Sequence, residues 1–473
     1  MPEITPDRLQ QFACMRATAG EIFASTLKNA SIEAAFARHV HCERRVLRIG
    51  DDLHPLDSYS RVFVVSIGKA AHTMADALQA QIGGSLEGIV VSPEGNGSST
   101  DLSSINSAAI NSAAIDHAST NQASTNQVRG FRYFLAGHPT PNAESARAAD
   151  AILKSLRGLD SAALVIFMIS GGGSSLVERP IDDEISLPDL AATYRTLVHS
   201  GAPIAEINAI RKHLSAVKGG RLAQAAYPAQ QVSILVSDVP SNTPDALASG
   251  PTMPDSSSIH DCDQIAEKYH LVSQFPESVA GLFRQHALEE TPKSDDPAFV
   301  RARWWTVLSN QVAIDQASAA ATRAGFAVDV DNSCDDWPYD KAASHLLHRL
   351  RELRRSASRV CLISGGEVTV TVRDGGVGGR NQQFALACAE QIAGEDITVL
   401  SAGTDGIDGN SPAAGAVVDG STLDRAARSG EANAARNALA AFNAYPLFEA
   451  LGDAVMTGPT GNNLRDLRIL LAY

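Results

Sequence analysis

The chain has 473 residues, 44% hydrophobic and 19% charged, with a formal charge of −14 and a pI near 5.4. That length and balance fit a globular enzyme of more than one domain, and the acidity excludes a general nucleic-acid or anionic-membrane surface, so an anionic ligand must be met by local cations. Six scattered cysteines without a C-x-x-C pair, an N-terminus with no basic-then-apolar pattern, and no apolar run near a membrane span lead to the expectation of a soluble protein of the reducing cytoplasm.

Residues 7–40 show helical apolar spacing through Phe12, Met15, Ala19, Ile22, Phe23 and Leu27 and predict packing helices without chemistry. Residues 61–67 form a buried-strand run, and Gly68-Lys69 opens a helix lined by Met74, Leu78 and Ile82. Lys69 therefore stands where a strand ends and a helix begins, the address at which open α/β sheets hold ligands, although a solvated surface lysine fits the same pattern. Residues 96–127 turn to Ser, Asn, Ala and Thr and contain two tandem pentapeptide repeats. Too few large apolar side chains are present to offset the entropy of ordering them, which predicts a mobile surface insertion without catalytic work.

His138 follows in a Gly-His-Pro-Thr-Pro turn, as a ligand contact or a turn residue, and Asn142 is placed to cap the next helix. The apolar run 164–169 ends in Ser170-Gly171-Gly172-Gly173-Ser174-Ser175, a predicted phosphate cradle that lacks the lysine of a P-loop. Within 207–221 an apolar stripe predicts a helix with Arg211, Ser215 and Lys218 on another face, either solvated or ligand-binding, ended or kinked by Gly219-Gly220 before Arg221. The strand run 232–236 delivers Asp238 to its carboxyl end.

Residues 289–297 are loop-forming, which puts a domain boundary near 276–300, and strand and helix patterns alternate again from Trp304. The Ile-Ser-Gly-Gly strand ending recurs at 363–366, followed by alternating residues 368–372 that predict a further strand. Four glycines in the five positions 375–379, then Arg380, suit an anion at a helix start, while Asp405 and Asp408 in a glycine loop suit a hard cation or a sugar hydroxyl. Phosphate, cation and loop together suggest phosphoryl transfer.

The ordered motifs SIGKAA, GHPTPN, SGGGSSL, NAIRKHLSAVKGGRLA, SDVPSN, ASGPT, SGGEVTV, GGRNQ, GTDGIDG and TGPTGNNL resemble the class II glycerate kinases over nearly the whole chain. The second half resembles that family's C-terminal MOFRL domain. The resemblance implies an α/β protein of two domains: an N-terminal Rossmann-like three-layer sandwich over 1–275 carrying the insertion, and a mixed α/β MOFRL-type domain over 276–473, with an interdomain cleft. It implies ATP- and Mg²⁺-dependent phosphorylation of D-glycerate at its 2-hydroxyl, giving 2-phosphoglycerate and ADP. It further implies small-molecule substrates only, neither nucleic acid nor membrane as partner, and admits a homodimer.

By the same similarity Lys69, Asp238 and Arg380 form the catalytic core, acting on the migrating phosphoryl group, the 2-hydroxyl and Mg²⁺. Ser170 to Ser175, Arg211, Lys218, His138, Gly378, Gly379, Asn381, Gln382, Thr404 and Asn462 are expected to bind substrate or nucleotide, and Asp405 and Asp408 to serve metal or ribose. The insertion and residues 92–95, where a Lys-Tyr-Gly-His-like turn is expected, depart from the family pattern. An NAD(P)H-dependent hydroxypyruvate reductase is the runner-up, but no strand is followed by a clean G-x-G-x-x-G with an acidic residue about 20 positions on. A non-catalytic small-molecule binding protein would not need cations and aspartates on several strand-end loops.

Because loop closure depends only weakly on length, replacing residues 96–127 by a short Gly/Ser turn is expected to leave folding and turnover nearly unchanged. Circular dichroism and a rate assay on the deletion would show otherwise if the segment supports the site.

Overall fold

Apolar runs buried on both faces cannot sit in a one-sided sheet, and this decides the architecture of the first half. The computed structural model describes residues 5–84, 86–94, 130–240, 242–371, 375–428 and 433–473, so the insertion at 96–127 lies outside the described residues. Strands β1 (Arg61–Ile67), β2 (Glu87–Pro93), β3 (Phe131–Ala136), β4 (Ala163–Ser170), β5 (Gln230–Val236) and β6 (Ala302–Leu308) form one sheet. All eight residues of β4 are buried. The order is β3-β2-β1-β4-β5-β6, with β1 to β5 mutually parallel. This is the doubly wound order that reverses between the first and fourth strands.

One face of this sheet is covered by the helix Ala143–Leu156, whose Ala149, Ile152, Leu153 and Leu156 pack on Val65, Ile67, Val165 and Phe167. Asn142 caps that helix through a reciprocal capping box with Ser145, as the turn chemistry predicts.

A second sheet contains β7 (Ala327–Val330), β8 (Val360–Gly365), β9 (Ile397–Gly403), β10 (Gly415–Asp419), β11 (Ala454–Val455) and β12 (Asp466–Ala472). Its order is β7-β8-β12-β9-β10-β11, parallel only between β7 and β8. The fold is thus α/β, with a parallel sheet in one unit and a mixed sheet in the other. The expected strand over 368–372 does not form: β8 stops at Gly365, Thr369 makes only an isolated bridge to Pro338, and residues 372–374 lie outside the described residues.

The chain divides into two units, but not at 275/276. Described residues 35–307 form the first unit, because β6, all but its last residue within that range, is the edge strand beside β5. Residues 5–34 join 308–473 in the second. The reason is the N-terminal helix Pro6–Asn29, whose predicted stripe is indeed buried, with Met15, Ile22, Phe23 and Leu27 against Ile314, Ile363, Leu400 and Ile469 of the mixed-sheet unit. No helix among the described residues is long and apolar enough to cross a membrane.

Phe23 is 1% exposed in this cluster, so Phe23→Ala is expected to destabilise the second unit by roughly 3–5 kcal/mol. Denaturant unfolding followed by circular dichroism checks this. An unchanged midpoint would show that the helix is not part of that core.

Candidate functional site

In the first unit the carboxyl ends of β1, β4 and β5 meet at the point where the strand order reverses. Gly68, with φ of 129°, has no room for a side chain: a Cβ would lie 2.1 Å from Ser170 Oγ. This lets the β1 turn lie directly on β4, where the Lys69 N–H donates to the Gly171 carbonyl at 2.9 Å and the Ala70 N–H to Ser170 Oγ at 3.1 Å. A Cβ on Gly171 would stand 1.9 Å from Asp238 Oδ2. One on Gly172 would stand 3.1 Å from Lys69 Cγ and 3.3 Å from His138 Cε1. Lys69, His138 and Asp238 therefore pack against two adjacent glycines.

His138 Nδ1 lies 3.0 Å from Ser175 Oγ, and Ser174 Oγ 2.8 Å from Ser249 Oγ. Burial, and then the positive charge of Lys69, lower the His138 pKa, which favours the neutral ring beside a charged lysine. Ser249 was not singled out from the sequence. Its Ser-Gly-Pro turn was the available signal.

Arg211 and Lys218 do not share a helix face. The helix Ile204–His213 ends at Leu214, Ser215 leaves it to bridge Pro180, and the basic stripe drawn through 218 is lost. Lys218 is 1% exposed and ion-paired with Glu178, a fully buried carboxylate that also accepts from Tyr194 Oη at 2.7 Å and Ser215 Oγ at 2.6 Å. Its ammonium is engaged inside the protein and does not present itself to a phosphate. Sequence reasoning missed Glu178 because no local pattern marks a partner 40 residues away.

In the second unit the predicted anion at the start of the helix Arg380–Gln391 is the chain's own. Asp408 accepts from the Asn381 and Gln382 N–H groups at 3.0 and 2.9 Å and from the Gln382 side chain at 3.1 Å. Gly379 admits it, since a Cβ there would stand 2.3 Å from Asp408 Oδ1. The Gly378 N–H donates to Asn410 Oδ1 at 2.9 Å. Asp408 takes up these donors, so the expected phosphate cradle at 378–382 and the expected metal or ribose role of Asp408 give way to a buried helix cap, although Gln382 Oε1 stays without a partner among the described residues.

Arg380 is forked onto Asp466, through Nε at 2.6 Å and Nη2 at 3.1 Å, and pairs with Glu367 at 2.7 Å. Asp466 opens β12 and escaped notice in the sequence because its partner is 86 residues away. Glu367 belongs to the Gly-Gly-Glu motif, and burial, then Asp466, raise its pKa. Thr404 staples the C-terminal loop, donating to the Arg465 carbonyl at 2.8 Å and accepting from the Leu464 N–H at 2.7 Å. Asn462 donates to the Ala30 carbonyl at 2.9 Å. Asp405 is half-buried, with Oδ1 accepting from the Ile407 N–H at 3.2 Å. Among the described residues no group of three His, Cys, Asp or Glu side chains is arranged to hold a metal ion.

A doubly wound sheet carrying a lysine, an aspartate and a glycine-serine turn at its switch point defines an α/β protein of the type that holds small ligands beyond its strand ends. Residues 18–284 match a domain of unknown function, DUF4147, and residues 360–466 match the MOFRL family. The D-glycerate 2-kinase of Thermotoga maritima is 34% identical, over 88% of this chain and 91% of its own. A protein of Agrobacterium vitis named "Putative hydroxypyruvate reductase" is 38% identical, over 71% of this chain and 76% of its own. The crystal structure of the Thermotoga maritima glycerate kinase superposes with a TM-score of 0.80 at 31% identity, covering 98% of this chain and all of that one. The chain belongs to the glycerate 2-kinase family.

Burial pushes the Asp408 carboxyl up to about 6, although the Gln382 and Asn381 N–H groups pull the other way. The unfolded value is about 3.9, so Asp408 favours the fold while protonated. Its contribution is complete below that value and is lost as the pH rises through about 6. Asp408→Asn, which keeps one acceptor oxygen for the helix start, is expected to remove this falling component from the stability profile of the second unit. Denaturation midpoints of both proteins between pH 4 and 7 provide the check, and identical profiles would mean Asp408 is ionised throughout.

Proposed function

We propose that the protein is a glycerate 2-kinase, transferring the terminal phosphoryl group of ATP to the 2-hydroxyl of D-glycerate to give 2-phosphoglycerate and ADP. The observation that carries this reading is the convergence of Lys69, His138 and Asp238 on Gly171 and Gly172 at the switch point of the sheet. Family membership supplies the substrate class.

Phosphoryl transfer asks a protein mainly for alignment and for charge opposite the migrating group. Lys69 is assigned to the charge that develops on that group. The Ser174 and Ser175 hydroxyls and the glycine turn are assigned to nucleotide phosphates. Neutral His138, oriented by Ser175, can donate or accept a hydrogen bond without competing with Lys69 for the anion. Asp238 is assigned to orienting the 2-hydroxyl or to holding Mg²⁺.

A hard cation takes oxygen ligands, and the half-buried Asp238 carboxylate, beside a turn assigned to phosphates, fits that donor set, whereas Asp408 does not. Mg²⁺ bound there would neutralise phosphate charge and help align the transfer. For Arg380 the assignment is to an oxyanion: Asp466 and Glu367 fix its plane, and Nη1 makes no hydrogen bond among the described residues. The reductase reading is not favoured by the β1 turn, where the single Gly68 is followed by a lysine instead of further glycines.

Incubation with ATP, Mg²⁺ and D-glycerate, against NADH and hydroxypyruvate, is expected to give ADP and 2-phosphoglycerate only in the first mixture. Lys69→Ala is expected to lower turnover roughly 100-fold or more while ADP affinity, read by calorimetry, stays near wild type. Asp238→Asn is expected to lose turnover as well, and excess Mg²⁺ restores it only if the carboxylate holds the metal. Near-normal rates in both variants would sink the mechanism.

A further inference from the structure

The sheet of the first unit has a second edge, at the amino ends of its strands, and a cavity of about 220 Å³ opens there. Gln230, which begins β5, and Arg301 and Arg303, on either side of the first residue of β6, line it together with Asp52, His54 and Tyr59. Because β5 runs seven residues toward Asp238, the cavity lies roughly 20 Å from the switch point.

A small antiparallel sheet, Val40–Glu43, Val46–Ile49 and Asp52–Pro55, supplies one wall. Gly50, with φ of 57°, lets it lie against β6, since a Cβ there would stand 2.3 Å from the Trp305 ring. Trp305 Nε1 then donates to Asp52 Oδ2 at 2.8 Å, and His54 reaches the cavity 4% exposed. Its Nδ1 lies 3.4 Å from Tyr59 Oη, while Nε2 is buried and has no hydrogen-bond partner among the described residues. Burial lowers the His54 pKa, with Asp52 opposing, and raises that of Tyr59, with Arg301 opposing, so the ring is neutral and the hydroxyl keeps its proton. With that hydroxyl donating to Nδ1, the ring proton sits on Nε2, a buried donor that lacks an acceptor.

The cations of the wall keep donors to spare. Arg301 Nη1 donates to the Ser161 and Pro228 carbonyls at 3.1 and 3.0 Å, and Arg303 Nη1 to the Ala302 carbonyl at 2.8 Å. Among the described residues neither guanidinium has a carboxylate oxygen within 4.0 Å, and Nε and Nη2 of both make no hydrogen bond. Asp52 is the single carboxylate of the lining, and one of its oxygens is held by Trp305. Two arginines against one aspartate leave the lining with an excess positive charge, in a chain whose formal charge is −14.

We propose that this cavity is a second binding site, separate from the switch point, for a small oxyanion carrying a phosphate or carboxylate group. His54 Nε2 and the free donors of the two guanidinium groups face such a group, and a planar guanidinium offers two parallel donors to a pair of oxygens. Gln230 is held to the Arg301 carbonyl at 2.8 Å, which ties the amino ends of β5 and β6 together at the cavity. Leu53 and Val300, 64% and 72% exposed, border it. The site stands whatever reaction the switch point carries out.

Histidine-selective ¹⁵N labelling reads both places in one sample by NMR, His54 reporting the cavity and His138 the switch point, with His54→Phe identifying the first signal by its loss. Inorganic phosphate and D-glycerate are to be titrated separately into wild type, Arg303→Gln and Val300→Asp. The His54 ring signal is expected to shift saturably in the wild type. Arg303→Gln is expected to raise the half-saturation concentration at least tenfold, and Val300→Asp, which adds a negative charge at an exposed position, at least threefold. Neither variant is expected to move the His138 midpoint. A shift with phosphate alone assigns a phosphate ligand, with D-glycerate alone a carboxylate, and with both a site open to either. A His54 signal that does not move, or whose midpoint rises by less than these margins, overturns the proposal, the second result meaning that the ring senses binding elsewhere. Should Arg303→Gln fail to fold, Val300→Asp decides by its threefold margin.

Discussion

The first unit depends on how closely its strand ends can approach at the switch point. A parallel sheet brings successive strand ends to one edge, but side chains there would ordinarily hold the turns apart. Gly68 and Gly171 remove that obstacle, because a Cβ at either would fall about 2 Å from a neighbouring oxygen. The backbone of the β1 turn then bonds directly to the β4 turn, and Asp238 and Lys69 come to lie against the adjacent glycines Gly171 and Gly172. A small, highly charged substrate needs that density of groups, which loops of ordinary bulk could not supply.

The second unit solves a different problem with opposite means. Its glycine-rich helix start is filled by Asp408, and its arginine is clamped between Asp466 and Glu367. A guanidinium held by two carboxylates has its orientation fixed before any ligand arrives, which is what transition-state stabilisation by a fixed charge requires. Clamping also takes up donors, so only part of the side chain stays available to an oxyanion.

Much of this was legible in the sequence where local physics decides. Continuous apolar runs became the buried strands β1, β4 and β5, Asn142 capped its helix, and the stripe from Phe12 to Leu27 was buried. Failures occurred where a distant partner overrides the local pattern. Helical spacing persists to residue 218, before Gly219-Gly220, yet the helix stops at His213 because Ser215 pairs with Pro180 and Lys218 turns inward to Glu178. The alternation at 368–372 looks like a strand, but only Thr369 finds a bridging partner among the described residues. The loop-rich stretch near 289–297 reads as a linker, although the chain beyond it returns to close the first sheet with β6. Aspartates in a glycine loop suit a metal or a helix start equally well, and only the position of the helix 380–391 decides for Asp408.

Lys212 and Lys218 show how an acidic protein builds cations into its interior. Net charge of −14 means carboxylates are abundant, so a cation that meets none of them is unusual in proportion to its burial. Lys218 met a carboxylate, and the pair became part of the interior. Glu178 goes to Lys218, while Asp245 and Asp255 go to Lys212. Which cations turn inward is therefore decided by the carboxylates that the fold brings beside each of them, which neither residue type nor sequence spacing reveals.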